Sequence, residues 1–243
     1  MIEFTSPAML WLAALFMIML GSFVQSAIGF GLAIVAAPVL YLIDVNYVPA
    51  PITIVALVLS LFNAYQHRQS LSLGPLTYAI VGRVPGSLAG GALLMVVDAR
   101  QLALVIGCSV LIAVVISLMP IRLAPTRSRM AIAGFFSGLF GTSTSIGGPP
   151  MAIILQHSAA GVIRANLSAF FVVSSLLSLV VQASTGYLRW SHLWLTLPLI
   201  PASLMGYWLA RRYAGELSHQ HMRWASLTLC SIAGGAALWS YLA

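Results

Sequence analysis

Between Arg129 and Arg164 the chain carries no Asp, Glu, Lys or Arg, yet the middle of that stretch cannot continue as a helix. It reads Gly141-Thr-Ser-Thr-Ser-Ile-Gly-Gly-Pro-Pro150. Two prolines remove backbone donors, and the glycines with the β-branched and hydroxyl residues weaken the helix around them. The flanks are apolar. In hydrocarbon every N–H and C=O needs a partner, and broken backbone persists there only where it is buried in protein or lines a cavity. The segment is therefore a candidate binding site rather than a linker.

Composition establishes that hydrocarbon is the relevant solvent. Mean hydropathy is +1.01, and eleven arginines with four acids cannot build a polar shell around 243 residues. The chain belongs to the polytopic membrane class. Its start, Met1 to Pro7, lacks the basic region of a cleavable signal peptide, so the first apolar run is expected to be retained. Cys108 and Cys230 lie in apolar segments without metal-like spacing and read as small packing residues. A net charge of +7 would suggest nucleic acid in a soluble protein. Here the arginines are scattered in short loops, so they report membrane orientation and imply no nucleic-acid partner.

Apolar runs predict ten helical segments, at 8–27, 29–43, 49–65, 75–97, 101–119, 129–145, 147–158, 164–185, 192–212 and 222–242. Three of them, 29–43, 129–145 and 147–158, fall short of the ~20 residues of a full span. The junctions within 8–43 and within 129–158 are uncharged, so each pair reads as a discontinuous or hairpin element. If both pairs reverse direction, Arg68, Arg122, Arg127, Arg129, Arg164, Arg211, Arg212 and Arg223 share one side, leaving Arg100 and Arg189 on the other. The positive-inside rule prefers that arrangement, with both termini outside the cytoplasm.

The halves echo each other. Val84-Pro-Gly-Ser-Leu-Ala-Gly-Gly91 recurs as Ile200-Pro-Ala-Ser-Leu-Met-Gly-Tyr207, and at the same offset Gln66 falls on Gln182. An odd number of elements per copy requires the second copy to be inverted. The expectation is an all-α membrane protein of two repeats, 1–120 and 121–243, forming one membrane domain. Each repeat has one broken element and three transmembrane helices, with a site near midplane.

The first half has its own break, Gly21-Ser-Phe-Val-Gln-Ser-Ala-Ile-Gly-Phe-Gly31, ending near Pro38. Helix N-termini after the two breaks, near Gly31 and Gly148, offer free N–H groups and a positive dipole end, which suits an anion. Candidate substrate contacts are therefore Gln25, Ser26, Gly29 and Gly31 from the first break, with Thr142, Ser143, Thr144, Ser145, Gly147 and Gly148 from the second. The plainer reading is that the glycines serve close packing and the hydroxyls bond back to their own helices. Arg83 is the one ionisable residue well inside a predicted span, about 12 Å from the segment start at ~1.5 Å per residue. A cation there costs ~2.5–3.5 kcal/mol on insertion scales and usually faces a cavity. Its guanidinium suits oxyanions; the rival reading is that it snorkels or binds helix carbonyls near Pro85. Asn63 and Asn166 are further candidates near helix ends, where capping is the plainer role. Glu3, Asp44, Asp98 and Glu216 all fall near segment ends, so no acidic residue is placed as a proton relay or sodium ligand. No metal site and no cofactor is expected.

Both Gly-rich elements, together with Gly82-Arg-Val-Pro-Gly86 and Arg164-Ala-Asn166, resemble the TauE/SafE sulfite-exporter family over nearly the whole chain. The resemblance implies a multi-pass protein of the cell (bacterial inner) membrane that moves sulfite, sulfonates or related sulfur-containing anions. One departure is that the first half reads Gly29-Phe-Gly-Leu-Ala where the family commonly has three successive glycines. The expected function is thus secondary transport of a small sulfur-containing oxyanion by alternating access, without enzymatic activity. The partners are the anion and the bilayer; a homo-oligomer is compatible with the sequence but not derivable from it. The alternatives are an anion channel or a membrane subunit acting with other proteins. More remote is an intramembrane hydrolase, which would need Ser145 and His157 to meet in a water-filled cavity.

Overall fold

The computed structural model describes residues 7–118, 123–156 and 158–214, with ten scattered positions between 224 and 239. Ten α-helices are present among the described residues: α1 Pro7–Ile28, α2 Leu32–Ile43, α3 Ala50–His67, α4 Leu73–Val96, α5 Ala99–Leu118, α6 Arg127–Thr144, α7 Gly148–Leu155, α8 Ala160–Ser184, α9 Trp190–Thr196 and α10 Leu199–Tyr213. Five helical stretches (α1, α3, α4, α5 and α8) are long and apolar enough to cross a membrane, or six if α9 and α10 form one bent span. Trp11, Phe16, Trp190, Trp194 and Trp208 stay exposed, a surface suited to lipid rather than water.

Both uncharged pairs are hairpins. After Ile28 the chain turns back, so that a Cβ added at Gly21 would lie 2.7 Å from the carbonyl oxygen of Leu32. α2 then runs antiparallel along α1, and Tyr47 beyond its end reaches Trp11, ring centroids 6.5 Å apart. After Thr144 the same reversal brings Gly147 beside Ser137, where its Cβ would lie 2.7 Å from the Ser137 carbonyl. In each case a short helix starts at a level its longer partner passed about three turns earlier, in the middle of the protein. The first half-helix starts at Leu32, later than the residue 29 expected, because Gly29 and Gly31 adopt φ of 101° and 136°. Side chains with a Cβ rarely hold such angles.

The tightest helix contact is between α4 and α6. A Cβ at Gly82 would fall on the carbonyl of Ala131, at Gly86 on that of Phe135, and at Gly134 on that of Ala79. Glycines at four-residue spacing let the two backbones touch, as small residues do between membrane helices. α1 packs similarly on α10, where a Cβ at Gly206 would meet the carbonyl of Met19 and Ser22 donates to Ser203 at 2.8 Å. α3 packs on α8.

One expected element is corrected. The segment 192–212 is two helices bent by 42°, because Pro198 lacks an N–H and its ring crowds the carbonyl of the preceding turn. At the sequence offset that aligns Val84–Gly91 with Ile200–Tyr207, Pro198 falls on Gly82 of α4, and that helix runs through, accommodating Pro85. Much of the expected segment 222–242 lies outside the described residues; Gly234 within it packs on Val110 of α5.

Candidate functional site

Where the two hairpin turns approach, a cavity of about 40 Å³ lies between α1, α2, α3, α4, α6, α7 and α8. One ordered water needs ~10–15 Å³ on this measure, so the space suits a small polyatomic anion. Its wall contains Gly31, Ala33 and Ile34 at the start of α2, and Gly147 and Gly148 at the start of α7. First-turn N–H groups have no partner inside their own helix. At α2, Gln25 Oε1 accepts from the N–H of Leu32 at 3.3 Å, which leaves the N–H groups of Ala33 and Ile34 for the cavity. At α7, Pro149 and Pro150 have none to give, and Gly148 provides the donor nearest the turn.

Arg83 forms the charged wall and is 2% exposed. Its Nη1 donates to the carbonyl and, at 2.7 Å, to the hydroxyl of Ser137. Nη2 donates to the Ser174 carbonyl at 3.3 Å and to the Ser178 hydroxyl at 2.9 Å. Nε is buried with no partner. The guanidinium therefore does not snorkel and does not present a free fork. Neutral dipoles hold both of its terminal nitrogens, the Phe170 ring centroid lies 5.8 Å from Cζ, and no carboxylate among the described residues pairs with its charge. The described carboxylates, Asp44 and Asp98, cap the Val45–Tyr47 turn and the start of α5, accepting from Asn46 N at 2.9 Å and Gln101 N at 2.6 Å.

The signature glycines of the second break make room for this cation. A Cβ at Gly141 would stand 2.6 Å from Arg83 Nη2, and one at Gly147 would stand 2.9 Å from Nη1. Ser137 ties the parts together, accepting from Arg83 and donating its hydroxyl to the carbonyl of Gly147. The turn itself is pinned by Ser145, held at φ 65°. Ser145 donates to the Pro49 carbonyl at 2.8 Å and meets the Thr53 hydroxyl at 2.9 Å.

Six of the sequence candidates line the cavity: Gln25, Gly31, Arg83, Ser145, Gly147 and Gly148. The others stand elsewhere. Ser143 and Thr144 donate to the carbonyls of Leu139 and Phe140 on their own helix, at 2.7 and 2.8 Å. Thr142 pairs with Ser178 at 2.9 Å, behind the guanidinium. Ser26 accepts from Asn63 at 3.1 Å, joining α1 to α3. Asn166 accepts from Ser72 N at 2.9 Å, a link to the segment before α4. Gly29 backs onto Arg164 and Leu167. His157 lies outside the described residues, and among those described no group of three or more His, Cys, Asp or Glu could hold a metal.

Sequence reasoning missed Thr53, Phe171, Ser174, Ser175 and Ser178 as cavity residues. A signal was present in α8, where Ser174 and Ser178 are four apart and share a face with Ser175 beside them. These hydroxyls carry no glycine or proline mark and read as ordinary small residues in an apolar helix.

A family model described as Sulfite exporter TauE/SafE matches residues 13–237, nearly the whole chain. No curated protein and no solved structure matches significantly, so the site rests on the geometry of this chain alone.

Proposed function

Because the chain belongs to the TauE/SafE family of sulfite exporters, we propose that the cavity beside Arg83 binds a small sulfur-containing oxyanion, sulfite or a short organosulfonate, during secondary transport. The family is one of multi-pass membrane transporters of sulfite-type anions, and the helices fit that class. The observation that carries the specific reading is Arg83: a fully buried cation without a carboxylate partner among the described residues, at a cavity edged by two helix N-termini. With its terminal nitrogens already engaged, it acts through its field. A unit charge ~5 Å from a monovalent anion contributes about 3 kcal/mol at an effective dielectric of ~20, roughly two orders of magnitude in affinity. Direct contacts come from neutral donors: the N–H groups of Ala33, Ile34 and Gly148 and the hydroxyl of Ser175.

The two halves are inverted repeats in this reading. Exchanging them turns the α1–α10 contact into the α6–α4 contact and returns the α3–α8 contact to itself, which supports the duplication. Alternating access then follows from rocking one repeat against the other around the cavity. Both termini are outside the cytoplasm, with the arginine-rich loops inside. Export needs no coupling ion, since an inside-negative potential of ~100 mV contributes ~2.3 kcal/mol per monovalent anion.

The test is flux in liposomes containing the purified protein, with labelled sulfite, taurine and sulfoacetate. Saturable flux of at least one is expected, with apparent affinity about 100-fold weaker in Arg83→Gln. No saturable flux of any of them, or undiminished flux in Arg83→Ala, would sink the proposal.

A further inference from the structure

Phe30 occupies an unusual place. It sits between Gly29 and Gly31, whose φ angles of 101° and 136° lie outside the range ordinary side chains adopt. It is half-buried and packs against both large apolar clusters of the protein. On one side it abuts the second break: a Cβ at Gly148 would lie 3.1 Å from Phe30 Cβ and 3.4 Å from its ring Cδ2. On the other side it lines a second cavity of about 220 Å³, walled by apolar residues of α1, α2, α5 and α7 such as Ile28, Val114 and Ile153. Gly31 and Ile34 wall both cavities. Phe30 thus lines the large apolar cavity and abuts Gly148, a residue in the wall of the small polar one.

The large cavity has the character of a parking space. An apolar cavity of ~150 Å³ stays dry and takes up benzene, so 220 Å³ accommodates a phenyl ring. The nearest ring has a glycine on each side, and such positions absorb the backbone rotations that a swinging segment needs. A second cation stands beside the segment that carries the ring. Gly29, the preceding residue, has Arg164 Cα and Cγ within 3.6 and 3.7 Å of its virtual Cβ. Arg164 Nη1 donates to the Ala27 carbonyl at 3.3 Å, while its Nε is buried without a partner.

We propose that Phe30 gates the anion cavity on the arginine-rich side: with its ring against Gly148 the cavity is separated from Arg164, and with its ring in the 220 Å³ space the two are joined. The gate rests on the transport reading above but makes its own demand, because it acts on one face only.

Accessibility tests it. In a Cys108→Ser, Cys230→Ser background, Ser175→Cys places a thiol on the anion cavity. Vesicles of each orientation are treated with sulfonatoethyl methanethiosulfonate, an anionic reagent that does not cross the bilayer. Phe30→Ala is expected to raise the modification rate threefold or more from the arginine-rich face, with a smaller change from the other. A smaller rise there, or an equal rise from both faces, overturns the gate. A second arm leaves Phe30 intact and fills its parking space through Ala113→Phe. Sulfite flux should fall at least threefold while sulfite still raises the melting temperature; flux within threefold of the parent also overturns the gate. Absence of sulfite flux in the parent counts against the transport reading instead.

Discussion

At the first break the chain turns through Gly29 and Gly31, whereas at the second it turns through Ser145, a residue with a Cβ held at φ 65°. The first half-helix keeps its first-turn donors, and a glutamine from its own hairpin occupies only one of them. The second half-helix has prolines where donors would be, and two glycines of its hairpin, Gly141 and Gly147, instead clear space for the Arg83 guanidinium. Two similar hairpins thus serve unequal ends: the first turn offers more of the hydrogen bonds, and the second mainly positions a charge. A site between two such hairpins need not be symmetric, because each has to satisfy only the backbone demands of its own turn.

The sharpest way to break this division is to crowd the charge. In Gly141→Ala the new Cβ would meet Nη2 of Arg83 at 2.6 Å, so the guanidinium must leave Ser174 and Ser178 or the helices must part. Overpacking of this kind costs typically ~1–3 kcal/mol, here with loss of the field at the cavity as well. The expected outcome is a lower melting temperature together with at least tenfold weaker sulfite flux. Loss of stability with flux affinity intact would show that Arg83 does not govern the anion.

That glycine also shows how far the sequence could be read. The all-helical membrane architecture, both broken elements and the depth of Arg83 within its helix follow from hydropathy, from missing charge and from proline chemistry, all of which are local. The bend at Pro198 escapes that reading because an unbroken apolar run marks 192–212 as one segment whether or not a proline bends it. Within the site, sequence could mark where backbone fails but not which side chains the fold would use up. Gly141 looked like part of a helix break, yet it sits inside α6 and its role is clearance for a side chain on α4. Ser174, Ser175 and Ser178 went unmarked because a hydroxyl in an apolar helix most often bonds back to its own turn.

A smaller effect separates the two turns through their φ angles. At an ordinary helical position Ala is favoured over Gly by ~1 kcal/mol. At Ser145 the order should invert. Ser145→Ala loses the hydrogen bond to Pro49 and keeps a Cβ in the left-handed region, whereas Ser145→Gly loses the same bond and relieves that strain, worth roughly 1–2 kcal/mol. Chemical unfolding in detergent should therefore place Ser145→Gly about 1 kcal/mol above Ser145→Ala. If alanine is the more stable variant, the second turn is not built as described and its likeness to the glycine turn is lost.

The smallest expected change concerns the hydroxyl run that made the second break look like a donor array. Ser143 and Thr144 donate to carbonyls one turn back in α6, bonds that membrane helices do without at little cost because the backbone ladder remains. Ser143→Ala and Thr144→Val should therefore shift stability by less than ~0.5 kcal/mol and leave sulfite affinity within about twofold. Direct hydrogen bonds to a charged ligand are worth ~1.5–3 kcal/mol each, so a contact residue would announce itself by a tenfold or larger loss. Such a loss at either position would mean that the hydroxyls of the second turn donate to the anion after all, and the unequal division between the two breaks would give way to a more symmetric site.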